Sequence, residues 1–135
     1  MTHRPEVEYL ELDDLIALAI AILGDPPPIR DIGLLGSAAE RPRTSAFGTD
    51  AYTDIWTKAA ALLQSVVNNH SLVDGNKRLG WLATAVFLEI NGHSVAHAPD
   101  TDVYDLVIDV AAADLDVRAI ATALEGLAET PSPRE

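Results

Sequence analysis

Apolar residues recur along this chain at intervals of three and four, and most of the runs stop at glycine, proline or asparagine. Leu12, Leu15, Ile16, Ala19 and Leu23 follow an i, i+3, i+4, i+7, i+11 spacing, which lines one face of an α-helix. Asp13 or Asp14 stands near the start of this run, and Gly24, Asp25 and three prolines stop it, so a helix is predicted over 12–23. Asp31 is placed to cap a second, short helix over about 32–40, which Pro42 ends; 42–49, rich in small and turn-forming residues, reads as a loop. Ile55, Ala59, Leu62 and Val66 predict a long helix over roughly 51–69. Leu79, Leu82, Ala83, Val86, Phe87 and Ile90 predict another, beginning between Asn76 and Leu79 and stopped by Asn91-Gly92. Val103, Leu106, Val107 and Val110 follow with Asp100 or Asp102 as cap, then Val117, Ile120, Ala121, Leu124 and Leu127 with Asp114 or Asp116 as cap. Val7–Leu10 and Ser94–Ala96 are short enough to be strands, able to pair as a small β-ribbon. The expected fold class is therefore all-α: a compact helical bundle, with one short β-ribbon as its only possible sheet.

Composition narrows this picture. A chain of 135 residues has the size of one domain and can bury roughly two thirds of its unfolded surface, enough for one core without staples. A single domain is expected over 1–129, with 130–135 (Thr-Pro-Ser-Pro-Arg-Glu) a disordered tail because it has nothing to bury. The absence of cysteine excludes disulfides, thiolate metal sites and a cysteine nucleophile. No signal-peptide pattern precedes Asp14, and the apolar run 15–23 falls far short of the about 20 residues that span a bilayer. The chain thus reads as soluble and cytoplasmic, with no membrane partner. A formal charge of −12 argues against direct nucleic-acid binding, which needs many cations against phosphates. A phosphate site in such a chain must be a local positive island or must take its ligand together with Mg²⁺.

That island is in the segment His70-Ser71-Leu72-Val73-Asp74-Gly75-Asn76-Lys77-Arg78, between two predicted helices, where two of the nine lysines and arginines stand together. A helix starting near Asn76 directs its free N–H groups and positive dipole end into this loop, and an anion is expected there. Gly75 lets a backbone approach a phosphate closely, Asn76 offers amide donors, Arg78 a forked contact and Lys77 a flexible point charge. Asp74 is a hard oxygen ligand suited to Mg²⁺, which binds through one or two carboxylates plus substrate phosphates. Histidine exchanges a proton near neutral pH, so His70 can serve as a general base toward a hydroxyl. Together these roles describe transfer of a phosphorus-containing group to an alcohol.

The string His-x-x-x-Asp-Gly-Asn-Lys-Arg, followed by an apolar helix that ends in Asn-Gly, resembles the signature of the Fic/Doc superfamily and in particular its Doc (death-on-curing) toxin branch; the resemblance extends over nearly the whole chain. It implies the Fic/Doc helical fold, with the motif loop between two central helices. It also implies ATP with Mg²⁺, His70 as the base that activates a target hydroxyl, Asp74 as the metal ligand, and Gly75, Asn76, Lys77 and Arg78 as the phosphate cradle. Fic proteins move AMP onto protein hydroxyls, whereas Doc phosphorylates a threonine of elongation factor Tu and stops translation. Lys77 replaces the glycine of the Fic pattern and Trp81 its second arginine, and both departures are similar to the Doc side. Leu72 stands where phenylalanine is usual and Leu79 where threonine is common. The resemblance further implies an antitoxin partner of the Phd type, whose C-terminal segment folds as a helix onto the toxin. The alternatives are AMP transfer to a protein hydroxyl, or a catalytically silent binding module of the same fold.

Other chemistry-bearing residues read differently. His93 and His97 follow the helix stop at Gly92 and should not share a helical face as zinc ligands. His3 falls in a frayed terminus. Arg41 and Arg43 either lean over the phosphate site from the 42–49 loop or, the better reading, cover apolar surface with their stems. Trp56 and Trp81 are expected in the core.

Overall fold

A computed structural model describes residues 6–128. Six α-helices carry the fold among these residues: α1 Leu12–Leu23, α2 Ile32–Glu40, α3 Ile55–Asn68, α4 Asn76–Ile90, α5 Asp100–Ala111 and α6 Val117–Ala128. Between α2 and α3 lie one 3₁₀ turn, Arg41–Arg43, and two strands, β1 Ser45–Ala46 and β2 Thr49–Asp50. The expected all-α fold is the observed one. The disorder expected for 130–135 and the position of His3 fall outside the described residues.

Helix α3 is the axis of the molecule. Its run Ala59-Ala60-Ala61-Leu62-Leu63 is buried on every side, as are Val66 and Val67, which is the pattern of a helix with no solvent face. It packs against α2, α4, α5 and α6. Helix α4 lies closest, because Gly80 has no side chain: a Cβ there would come within 2.6 Å of Cγ2 of Val67. Leu79, Ala83, Phe87 and Leu88 of α4, Leu15 and Ala19 of α1, and Ile120 and Leu124 of α6 complete one core.

The helix ends follow local chemistry, with some corrections. Asp31 caps α2 through the Leu34 N–H (3.0 Å), and Asp116 caps α6 through the Ala119 N–H (2.9 Å). Asp14 closes the start of α1 by accepting from the Glu11 N–H at 2.8 Å. The cap of α5 is neither Asp100 nor Asp102 but Pro99; both aspartates lie in the first turn, where their charge meets the positive dipole end. Helix α3 begins at Ile55 rather than near 51, because Asp54 accepts from the Thr57 N–H at 2.8 Å and fixes the start there.

The β-ribbon lies elsewhere than expected. Val7–Leu10 does not pair with Ser94–Ala96, and neither forms a strand. The Asn91 side chain satisfies the Glu8 peptide instead, accepting from its N–H and donating to its carbonyl, both at 2.9 Å. The ribbon is the hairpin β1–β2, pairing Ser45 with Asp50 and Ala46 with Thr49, within what reads in sequence as a loop. Its two turn residues, Phe47 (φ 54°) and Gly48 (φ 78°), are both left-handed, the geometry that matches strand twist in a two-residue hairpin.

Candidate active site

The loop between α3 and α4 is bracketed by two left-handed residues. Asn69 is the C-cap of α3, and His70 follows at φ 57°, the position where a helix commonly turns out of its spiral on a glycine. Gly75, at φ 91°, opens α4. Between them the chain runs antiparallel to Pro28–Asp31: Ile29 bridges Leu72, the Arg30 and Asp31 N–H groups donate to the Ser71 carbonyl at 2.7 and 3.0 Å, and the Val73 N–H donates to the Pro28 carbonyl at 2.8 Å. The Arg30 guanidinium donates to the His70 carbonyl. Leu72 points inward as an apolar plug, 1% exposed.

This arrangement brings His70, Asp74, Gly75, Asn76, Lys77 and Arg78, with Val73, around one cavity of about 310 Å³. His70, Asp74, Lys77 and Arg78 are exposed. Gly75, the N-cap of α4, has no side chain to cap it, so the cavity wall includes a helix start whose first-turn N–H groups after Gly75 have no capping side chain. Such an end is suited to an anion.

Three of the residues are engaged in ways their types did not suggest. The missing side chain of Gly75 faces Leu23, whose δ carbons would lie 2.8 Å from a Cβ; its glycine is required by helix packing and positive φ, not by room for a phosphate. Asn76 folds back on Leu72, accepting from its N–H and donating to its carbonyl, each at 3.0 Å. Its side-chain amide therefore braces the loop, leaving its main-chain N–H at the helix start. Arg78 donates through Nη2 to the Ile22 carbonyl at 3.1 Å, which satisfies the C-terminal end of α1 and steadies one edge of the guanidinium. Asp74 accepts from the Gly75 N–H through Oδ1 at 2.9 Å, with Oδ2 left for another partner. A single exposed carboxylate beside a helix start and two cations fits Mg²⁺ brought in by phosphates, not an ion held by protein alone.

Residues outside the motif sort as their surroundings dictate. Arg41 bonds the Tyr52 hydroxyl (3.0 Å) and Ser65 Oγ (2.9 Å), and Arg43 pairs with Glu11 at 2.9 Å and lies over the Tyr9 ring. Both brace the 3₁₀ turn. The His93 ring packs 4.8 Å from that of Trp56, and among the described residues no group of three or more His, Asp or Glu is placed to hold a metal. Trp81 is only half buried, lining an apolar groove of about 630 Å³ between α4 and α5. Lys77 and Arg78 line both this groove and the cavity. Arg30, forty positions from His70, carries no sequence signal that ties it to the motif.

Helical fold, motif loop and chain length converge on one class, and comparison with known sequences agrees. The chain belongs to the Fic/DOC family, whose family model matches residues 9–88, from the segment before α1 through most of α4. A relative named Toxin Doc, from Mycolicibacterium smegmatis (strain ATCC 700084 / mc(2)155), is 46% identical over 122 residues, covering 90% of this chain and 94% of the relative. No helix among the described residues is long and apolar enough to cross a membrane.

Proposed function

We propose that this protein is the toxin of a toxin–antitoxin pair and transfers the γ-phosphoryl group of ATP to a hydroxyl of a target protein. The observation that carries this reading is the single cavity that joins His70 and Asp74 to the uncapped start of α4 and to Lys77 and Arg78. His70 takes the proton of the target hydroxyl as its oxygen bonds to the γ phosphorus; the bond to the β–γ bridging oxygen breaks and ADP leaves. The α4 N–H groups, Lys77 and Arg78 hold the phosphate oxygens, and Arg78 is kept in register by its bond to Ile22. Asp74 would hold Mg²⁺, which neutralises charge on the phosphates when bound. Lys77 and Trp81, standing where the AMP-transferring members have glycine and arginine, support phosphoryl over nucleotidyl transfer, and the Doc branch makes a threonine of elongation factor Tu the first target to try.

The test is incubation with Mg²⁺, elongation factor Tu and ATP labelled at either the γ or the α position, beside the His70→Ala variant. Label from the γ position, reduced by about 10²-fold or more in the variant, is the expected result. Label from the α position would replace this reading with AMP transfer. ATP binding without any transfer, indifferent to His70, would make the protein a silent binding module.

The same reading gives the apolar groove a role. An antitoxin segment of the Phd type, folding as an amphipathic helix, would lie between α4 and α5, with Trp81, Val103, Tyr104 and Ile108 as its apolar contacts. Lys77 and Arg78 are common to groove and cavity, so such a helix would lie beside the phosphate cradle.

A further inference from the structure

We propose that Arg30 is a positioning residue for the base, holding the His70 main chain in its left-handed conformation; this rests on the reading of His70 as the general base. A residue with a Cβ avoids positive φ unless its surroundings impose it, and His70 stands at φ 57°. Arg30 supplies the constraint from both its parts. Its guanidinium donates to the carbonyl of His70, and its own N–H donates to the next carbonyl, that of Ser71, at 2.7 Å. One residue thus grips two successive peptide units on the C-terminal side of the left-handed turn.

The placement also suits the charge. The His70 carbonyl follows directly on the end of α3, where a cation is favoured by the helix dipole. Arg30 is exposed, yet none of the ion pairs among the described residues includes it, so surface charge pairing does not explain its orientation. It does not line the cavity, so its side chain acts on the site through the His70 carbonyl.

The phosphate cradle is held by other bonds. Asn76 is tied to Leu72 and Arg78 to Ile22, and neither tie uses Arg30. Loss of the guanidinium therefore releases His70 toward negative φ and moves its imidazole while nucleotide binding persists. The kinetic signature is a fall in kcat with KM for ATP retained.

The experiment compares full-length wild type, Arg30→Ala and Arg30→Lys, each labelled with ¹³C and ¹⁵N in its four histidines. The His70 backbone shifts and Cα–Hα coupling report the sign of φ, and kcat and KM for ATP are measured on the same samples with and without added guanidinium ion. Arg30→Ala is expected to shift His70 toward negative φ and to lower kcat by about tenfold, with KM for ATP changed by no more than about twofold. Guanidinium ion is expected to restore both, and equal ionic strength from sodium chloride to restore neither. His70 remaining at positive φ in Arg30→Ala would overturn the proposal, as would a kcat loss without rescue. Should Arg30→Ala fail to fold, Arg30→Lys carries the same readouts, with an intermediate shift and kcat expected and a wild-type His70 φ overturning the proposal. If wild-type protein transfers label from neither end of ATP, the function proposed above fails, and the sign of His70 φ alone decides the role of Arg30.

Discussion

Two asparagines each satisfy both main-chain groups of one residue with a single side chain: Asn76 those of Leu72, and Asn91 those of Glu8. An amide side chain carries one acceptor and a donor group in the same geometry as a peptide, so it substitutes for a strand partner where the chain has no room for a strand. Asn76→Ala leaves the Leu72 N–H and carbonyl without their partner in a half-buried loop, and is expected to lower stability by about 2 kcal/mol, checked by urea denaturation. Because the same loop carries His70 and Asp74, the proposed phosphoryl transfer should fall in that variant as well. At this scale the residues of the string line one cavity, and the structure adds duties that residue type did not show: Gly75 makes room for Leu23, and Asn76 braces Leu72. Residue type shows what Asn can donate, whereas the recipient, a peptide or a phosphate, depends on where the chain returns.

Among the elements, the helices were legible and the hairpin was not. The bounds expected for α1 and α2 are those observed, because a one-sided apolar stripe with a stop signal is complete within a dozen residues. The hairpin β1–β2 is two residue pairs long, too short for alternation to register, and its Phe47-Gly48 turn lacks the Asn-Gly or Asp-Gly pair that advertises such turns. A buried cation secures it. Lys58, 2% exposed, extends from α3 to the Asp50 carboxylate at 3.1 Å and to the Tyr52 carbonyl. Lys58→Met fills the same space without the charge. Global stability is expected to stay within about 1 kcal/mol of wild type, since the Asp50 carboxylate left without its partner is 56% exposed and stays solvated, while amide exchange in 45–50 quickens by about tenfold or more. Hydrogen exchange read by mass spectrometry checks both, and unchanged exchange in the hairpin would show that Lys58 does not hold it.

For the whole molecule, the charge of −12 and the groove between α4 and α5 set how it meets partners. The net charge of −12 would repel an anion at long range, whereas Lys77 and Arg78 stand together at the cavity, so phosphate binding there should depend on the intact loop and not on a general field. Tyr104 and Ile108 stand on the groove's α5 side at 66% and 36% exposure, accessible enough to be changed without opening the core. If the proposed Phd-type antitoxin helix lies in this groove, Tyr104→Asp is expected to weaken its binding by about 30-fold or more, as loss of an aromatic anchor does at an interface, measured by titration calorimetry. Phosphoryl transfer by the free protein should be unchanged, because Tyr104 does not line the cavity.

By itself the sequence determined what is local: helix spans, most stop signals, the all-α class, and the nine-residue string that marks the Fic/DOC family. Each depends on neighbours within about four positions, and their spacing is written directly in the chain. Only the tertiary structure decided what joins distant segments. It set the Pro28–Asp31 brace against the motif, the Leu23 contact that requires a glycine at 75, the Asn91 tie to Glu8, and the groove that shares Lys77 and Arg78 with the cavity. The first three of these bring together residues forty to eighty-three positions apart, and no periodicity encodes such a pair. They form because helices packed around α3 leave particular peptide groups side by side, and each of those groups must find a partner once water is excluded.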